Sequence, residues 1–305
     1  MNAPEVSPDN MAVTHGAASP RVPRGAEALA RNALQNLERW SRAVARPPPA
    51  RMLRPALPAV AATLATLYVV VVSMFVLDAP LSHWARHEPS WVRDSFERIT
   101  NLGLSGWFLI PFAAILLWLA AVISPALSRR TQGVLTALAA RFGFLFLAIG
   151  VPGLFVAIVK RLIGRARPYV GGGGHDDPFA YMPFVWRPEY ASMPSGHATT
   201  AVAAAIAIGA IWPRTRLVMW LYALVIMASR VLVLAHHPSD VIAGALTGAA
   251  GAYLLRRWFA ARRLVFCGRD LRAYPGPSWK RIKAALGEVV RGPPKAAEFG
   301  QFPPN

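Results

Sequence analysis

Six blocks of apolar residues divide the middle of the chain, with polar segments between them. The blocks lie near 56–78, 104–124, 140–159, 197–213, 217–235 and 239–256. Each has roughly 17–25 residues, enough for a helix rising 1.5 Å per residue to cross a hydrocarbon core of about 30 Å. The pattern therefore predicts an all-α fold, a bundle of six transmembrane helices.

A basic N-terminal tail, residues 1–50, precedes the first block. Residues 1–24 are rich in Pro, Ala and polar residues, which predicts disorder. From about Ala26 to Val44 apolar residues recur at helical spacing between arginines. This predicts an amphipathic helix on the membrane surface, with a solvated helix as the open alternative. Because the tail has no apolar core, we expect the first span to direct insertion itself.

A basic C-terminal tail, residues 258–305, follows the last block. Between Trp279 and Val289 apolar positions alternate with Lys and Arg, a pattern that suggests a second surface helix. The two tails therefore flank a predicted six-span domain at 51–257.

The composition agrees with a membrane protein. Hydrophobic residues make up 54% of the 305 residues and charged residues 16%, well below the usual quarter for soluble domains. The net charge of +18 resides mainly in the tails, where contact with anionic lipid head groups is favoured and nucleic acid is not expected as a partner. The single cysteine, Cys267, excludes an intrachain disulfide and a cysteine-cluster metal site.

The distribution of Lys and Arg predicts that both termini are cytoplasmic. The N-terminal tail through Arg54 carries eight Arg, and the chain from Arg256 onward carries eleven Lys and Arg against three acids. Cytoplasmic segments hold the excess of positive charge. We therefore expect the third loop, about 161–196, to face the periplasm or exterior of a bacterial inner membrane.

The third loop nevertheless begins with positive charge, at Lys160, Arg161, Arg165 and Arg167. Basic residues at a helix end often only reach toward the head groups. Lys160 and Arg167, however, are seven residues apart, so a helix continuing past the third span would place both on one face until Pro168 stops it. Such a pair suits a phosphate or diphosphate group.

A short motif, Pro194-Ser195-Gly196-His197, stands immediately before the fourth block. A Ser at a helix start is most often a cap for free backbone N–H groups. A helix start is also an anion site. There, Ser195 would donate its hydroxyl, Gly196 would permit close approach of the backbone and His197 would add a titratable donor.

A third group of polar residues surrounds the fifth loop: Ser229, Arg230, His236 and Asp240. Ionisable residues at the end of an apolar helix are costly and usually mark function. His236 and Asp240 are within mutual reach if the turn is helical, although Pro238 is expected at the first helical position. A purely structural alternative has Asp240 capping the sixth helix and His236 facing head groups.

The three groups lie at the outer ends of the predicted spans three to six. Together they supply nearly every group needed for phosphoryl transfer through a covalent intermediate. The patterns Lys160-x6-Arg167-Pro168, Pro194-Ser195-Gly196-His197 and Ser229-Arg230-x5-His236-x3-Asp240 resemble the three-part signature of the type 2 phosphatidic acid phosphatase superfamily. The resemblance covers about residues 55–256, with no departure at any signature position.

This resemblance implies a membrane lipid phosphatase that uses no metal or other cofactor. His236 would attack phosphorus and form a phosphohistidine, while Asp240 would hold its imidazole ring. His197 would protonate the leaving oxygen. The remaining signature residues would bind the phosphate oxygens: Lys160, Arg167, Ser195, Gly196 and Arg230.

The expected substrate is a lipid phosphate, because the site lies at head-group depth and no soluble domain selects a head group. Undecaprenyl diphosphate, an isoprenyl diphosphate, is the first candidate, followed by phosphatidylglycerophosphate, phosphatidic acid and lipid A phosphates. A lipid phosphotransferase and a vanadium-dependent haloperoxidase are alternative enzymes. A channel or scaffold leaves the signature residues unexplained. The oligomeric state stays open.

Four glycines at 171–174 precede His175, Asp176 and Asp177 in the third loop. These residues have no known metal-ligand spacing, and we interpret them as a flexible lid.

Overall fold

The computed structural model describes residues 25–47, 57–170, 177–268 and 270–291. The expected disorder at 1–24 and the lid residues 171–176 lie outside the described residues. Within them the chain is helical, and the β structure amounts to two isolated bridges. The α-helices are α1 (Ala26–Ala45), α2 (Leu57–Val76), α3 (Asp78–His87), α4 (Ser90–Thr100), α5 (Gly106–Val122), α6 (Arg129–Ile163), α7 (Gly196–Ile211), α8 (Arg216–Leu232), α9 (Pro238–Ala261) and α10 (Trp279–Arg291).

Each of the six apolar blocks corresponds to one helix, namely α2, α5, α6, α7, α8 and α9. Three described segments are long and apolar enough to cross a membrane: Ser90–Val122, Arg129–Ile163 and Pro213–Leu232. A fourth arises if Val60–Val76 and Asp78–His87, which meet at a bend of 51°, count as one span. The all-helical fold is therefore confirmed, with three to four candidate spans among the described residues.

The segment between the first two blocks, expected to be a loop, forms the short helices α3 and α4. α3 packs against α8 and α9, and α4 packs against α8. This packing buries two polar residues of the segment, Asp78 at the start of α3 and Thr100 at the end of α4. Both approach the ends of the helices that carry the signature residues.

α6 is the longest helix, with 35 residues, and it ends earlier than the spacing of Lys160 and Arg167 predicts. Gly164 terminates it in the left-handed conformation with φ 63°, a conformation that costs glycine little. The following chain turns back on itself, so that the Arg167 N–H donates to the Glu189 carbonyl at 2.9 Å. The prediction of one continuous helical face from Lys160 to Arg167 is therefore wrong.

α7 and α9 pack closely because both present small residues at their contact. A Cβ on Gly244 of α9 would lie 2.3 Å from the Ser195 carbonyl oxygen, and one on Gly248 would lie 2.4 Å from that of Thr199. Both distances are far below van der Waals contact, so only glycine fits. The contact brings the N-terminal ends of α7 and α9 together, and these ends carry most of the signature residues.

The tail helices predicted from the sequence are present as α1 and α10, and both dock near the turn between α5 and α6. The Asn36 amide of α1 donates to the Ala120 and Ile123 carbonyls at the end of α5, at 2.9 and 2.8 Å. On α10, the Glu288 carboxylate accepts from Ser128 and Thr131 at the start of α6. Free backbone groups at both helix ends thereby gain partners, and the tail helices α1 and α10 lie at the opposite end of α6 from Lys160.

Candidate active site

The three signature groups converge at one end of the bundle. The Ser195 N–H donates to the Asp240 carbonyl at 2.9 Å, which joins the start of α7 to the start of α9. The His236 N–H donates to the Arg230 carbonyl at 3.2 Å. Arg167 is tied to the same loop, since its guanidinium donates to the carbonyl of Ala235 at 3.4 Å. Tertiary packing thus places residues from four sequence segments around one point.

Ser195 occupies the N-cap position of α7 but does not cap it. Its hydroxyl makes no capping hydrogen bond, and its residue is fully buried. The Oγ atom has no hydrogen-bond partner within the described chain. A buried hydroxyl without a partner costs about 1–3 kcal/mol, so this geometry favours an anion ligand over the capping interpretation.

Lys160, Gly196 and His197 line a cavity of about 380 Å³ between α6, α7 and the turn that precedes α5. The turn packs directly against His197: a Cβ added to Gly103 would lie only 2.9 Å from the His197 Cδ2 atom. Arg230, Arg167 and Lys160 all act electrostatically on His197. The cavity therefore has cationic surroundings with a histidine on its wall, which suit a phosphate group.

Arg230 is buried at the end of α8, and only part of its guanidinium is used within the protein. One terminal nitrogen donates to the Thr100 hydroxyl at 2.6 Å. Its Nε atom is buried and has no partner in the described residues. Thr100 thus orients the arginine and leaves a donor free for an anion.

His236 lies in the loop between α8 and α9 and is 4% exposed. Burial, together with the positive charges of Arg167 and Arg230, holds the pKa of His236 well below its ordinary value. The imidazole is therefore neutral at physiological pH, as a nucleophilic histidine must be.

Ser192 stands between His236 and Asp240. Its hydroxyl donates to the Asp240 Oδ2 atom at 2.6 Å, while its Oγ atom lies 3.4 Å from His236 Nδ1. The direct distance from Nδ1 to Oδ2 is 3.9 Å, longer than a hydrogen bond. Because the hydroxyl has one proton and gives it to Asp240, it can only accept from Nδ1–H, which leaves the Nε2 lone pair free.

Asp240 also caps α9, as the structural alternative for this residue predicts. Its Oδ2 atom accepts from the His237 N–H at 2.9 Å, and Pro238 occupies the first helical turn as expected. Capping and proximity to His236 therefore occur together.

Arg165 lies fully buried between two carboxylates. It donates to Asp240 Oδ1 and to Asp78 Oδ2, both at 2.6 Å. Burial alone would lower the pKa of Arg165, but the charges of Asp240 and Asp78 outweigh it and raise the pKa. Ser239 completes the cluster through its hydroxyl, which donates to Asp78 at 2.6 Å.

Sequence reasoning assigned no role to Asp78, Thr100, Arg165 or Ser192. Asp78 has a usable signal, since a carboxylate at the end of an apolar block is costly unless it is paired. Arg165 belongs to the recognised basic cluster, although its inward orientation depends on the turn at Gly164. No spacing in the sequence distinguishes Thr100 or Ser192.

Residues 141–264 match the PAP2 superfamily. The chain is also 34% identical to a lipid A 1-phosphatase of Rhizobium johnstonii over 231 residues, 75% of this chain and 89% of the relative. A lipid A 1-phosphatase of Rhizobium etli is 33% identical over 204 residues, 66% of this chain and 85% of the relative. The chain belongs to the PAP2 superfamily. It is a membrane phosphatase, and the resemblance seen in its motifs is confirmed.

Among solved structures, the chain is similar to the first transmembrane PAP2-type phosphatidylglycerolphosphate phosphatase, from Bacillus subtilis. That similarity has a TM-score of 0.45 at 20% identity and covers 65% of this chain and 93% of the other.

Proposed function

We propose that this PAP2 phosphatase removes the phosphate at the 1-position of lipid A. The observation that carries the proposal is the similarity to two lipid A 1-phosphatases, which extends over 75% of this chain for the first of them. Lipid A phosphate was one of the substrate candidates from sequence. Undecaprenyl diphosphate, the first candidate, stays a prediction without a further observation in its favour.

In the proposed mechanism, Nε2 of His236 attacks phosphorus and forms a phosphohistidine. Three features support this role: the lowered pKa of His236, the accepting Ser192 hydroxyl at Nδ1 and the position of the ring beside Arg167 and Arg230. Water then hydrolyses the phosphohistidine and releases inorganic phosphate. Metal independence of this chemistry stays a prediction.

The other signature residues would stabilise the transferring phosphoryl group. Lys160, Arg167 and Arg230 would face its oxygens with positive charge, joined by the Ser195 hydroxyl and the Gly196 N–H. The unpartnered Ser195 Oγ and Arg230 Nε atoms support this assignment. His197, on the wall of the cavity, would protonate the leaving oxygen, a step typically worth roughly 10²–10⁴-fold in rate.

The proposal includes the membrane topology predicted from the sequence: six spans, cytoplasmic tails and a periplasmic site in the inner membrane. The separation of the tails and the site at opposite ends of α6 supports it. A periplasmic site would meet lipids in the outer leaflet of that membrane.

Phosphate release from a lipid panel tests the substrate. Purified protein, assayed with chelator, should release inorganic phosphate faster from lipid A bearing a 1-phosphate than from undecaprenyl diphosphate, phosphatidylglycerophosphate or phosphatidic acid. Preference for another lipid would overturn the substrate assignment, and phosphate loss from the lipid without free phosphate would indicate transfer to an acceptor.

His236→Ala tests the nucleophile in the same assay. We expect at least about a 10³-fold loss, with unchanged yield and thermal stability, whereas the exposed His83→Ala should keep full activity. Full turnover by His236→Ala would exclude His236 as the nucleophile.

A further inference from the structure

At the end of the molecule opposite the candidate active site, a large cavity lies between part of α10 and the first turns of α6. Its volume is about 810 Å³, within the range of ligand pockets. A second cavity of about 540 Å³ adjoins it and shares Gly133 and Ala137. We call the two together the tail-side groove.

The groove has positive charge on both sides and apolar residues at its base. Arg130, Lys280 and Arg281 line the larger cavity, and Arg129 and Arg263 line the smaller one. No hydrogen bond or ion pair within the described residues engages the side chains of Arg130, Lys280 or Arg281. The base is formed by Val134, Ala137, Ala284 and Ala285.

Specific contacts hold the walls of the groove in place. Glu288 fixes α10 on α6 through Ser128 and Thr131, and these hydrogen bonds hold the pKa of Glu288 below its ordinary value. The strand-like segment before α10 is fixed by Arg141, which donates to the carbonyls of Tyr274 and Pro275 at 2.9 and 3.1 Å. Glu288 is thus bound by neutral donors of α6 and forms no ion pair with Arg130, Lys280 or Arg281 in the described part of the chain.

The length of α6 argues that the groove lies at the depth of phospholipid phosphates. α6 has 35 residues and is therefore about 52 Å long, slightly more than a bilayer with both head-group layers, about 40–45 Å. Its last turn carries Lys160 at one layer, so its first turns, with Arg130 and Gly133, lie at the other. Free cations above an apolar base match an anionic head group above its acyl chains.

We propose that the tail-side groove is a binding site for an anionic glycerophospholipid of the inner leaflet. Arg130, Lys280 and Arg281 bind its phosphate, and the alanine and valine base contacts its acyl chains. The leaflet rests on the topology within the proposed function. The site is separate from the catalytic residues and requires no hydrolysis, so its lipid-binding test is independent of the proposed activity.

Native mass spectrometry of the purified full-length protein measures the retained lipid. We expect phosphatidylglycerol to be retained in preference to phosphatidylcholine with the same chains. Lys280→Gln/Arg281→Gln should lower retention at least about tenfold. The matched variant Lys283→Gln/Arg291→Gln removes the same charge from the same helix outside the groove and should retain lipid normally.

Gly133→Leu provides a second, uncharged test. A Cβ at Gly133 meets nothing within 4 Å, so the backbone leaves room for a side chain that extends into the groove. The substitution should lower phosphatidylglycerol retention without lowering the thermal midpoint, because leucine favours a helix more than glycine does.

Three results would overturn the proposal. They are equal retention by the two double variants, equal retention of the two lipids by the wild type, and displacement of the lipid by an equal concentration of inorganic phosphate. The last result would mean that the groove binds the phosphate group alone and does not bind the rest of the lipid.

Discussion

The Asp240 carboxylate accepts three hydrogen bonds from the described residues, and none of them comes directly from His236. Arg165 occupies one carboxylate oxygen, while Ser192 and the His237 N–H share the other. A carboxylate held from so many directions is rigid. In the proposed mechanism it would act on the imidazole through the Ser192 hydroxyl, which makes Ser192 a positioning residue.

A double-mutant cycle tests this relay. We expect Ser192→Ala and Asp240→Asn each to lower kcat, by roughly tenfold for Ser192→Ala since about 1.4 kcal/mol corresponds to tenfold. If Ser192 transmits the effect of Asp240, the double variant should be no worse than Asp240→Asn alone. The measurement is kcat and KM for phosphate release.

The relay would be excluded if the two losses multiplied in the double variant. It would equally be excluded if Ser192→Ala raised KM and left kcat unchanged, because that pattern belongs to substrate binding.

The pH profile of kcat/KM reports the charge environment of His236. Its attack requires the neutral ring, and burial with the nearby cations lowers its pKa, so wild-type activity should persist below the ordinary histidine value of about 6.5. Arg167→Gln removes one of these cations, and the pKa of His236 then rises. The acidic limb of the profile should therefore move to higher pH, in addition to the loss of overall rate.

Arg187→Gln provides the matched control for this shift, since Arg187 is an exposed cation of the same loop. Its profile should coincide with that of the wild type. The substrate phosphate titrates identically in the assays of all variants, so it does not affect the difference between their pH profiles. An unmoved limb in Arg167→Gln would contradict the assigned influence of Arg167 on His236.

At the scale of helices, the site depends on how closely α7 and α9 pack. Gly244 lies directly against the Ser195 backbone, so the helix contact involves a residue that is proposed to bind phosphate. A wider spacing would move Asp240 and its hydrogen-bonded neighbours away from Ser195, to which Asp240 is joined by a backbone hydrogen bond.

Gly244→Ala tests this dependence. The added methyl group has no room, and overpacking of this kind costs about 1–3 kcal/mol, so the thermal midpoint should fall. Activity should fall by about 10² because displacements near 1 Å have effects of that size. Gly143→Ala, where a Cβ meets nothing within 4 Å, should be neutral. Equal activity of both variants would show that the close packing is not required.

At the scale of the whole molecule, α6 separates two functional ends. Its C-terminal turn carries Lys160, while its N-terminal turn is held by Glu288 of the C-terminal tail and lies beside α1. The tail helices α1 and α10 therefore lie at one end and the cations proposed to bind phosphate at the other. This separation is the structural observation that supports the proposed topology.

Cysteine labelling in spheroplasts tests the topology. In a Cys267→Ser background, Trp186→Cys and Val290→Cys place single thiols at residues that are 80% and 85% exposed, at the site end and the tail end respectively. A membrane-impermeant maleimide should label Trp186→Cys in intact spheroplasts and Val290→Cys only after permeabilisation. The reverse pattern would invert the proposed orientation, and labelling of both thiols in intact spheroplasts would contradict the cytoplasmic tails.

The sequence by itself determined the helical class, the apolar blocks, the two amphipathic tail helices and the eight signature residues. The helices follow from local periodicity. The signature residues stand out because ionisable side chains at the ends of apolar helices are energetically costly and usually mark a functional site. The tertiary structure decided the rest. The left-handed turn at Gly164 directs Arg165 inward to Asp78 and Asp240. The first loop folds into α3 and α4, which brings Asp78 and Thr100 to the site. The contact of α7 with α9 joins Ser195 to Asp240. Such contacts join residues distant in the chain, and their geometry depends on helix packing, which residue spacing alone does not encode.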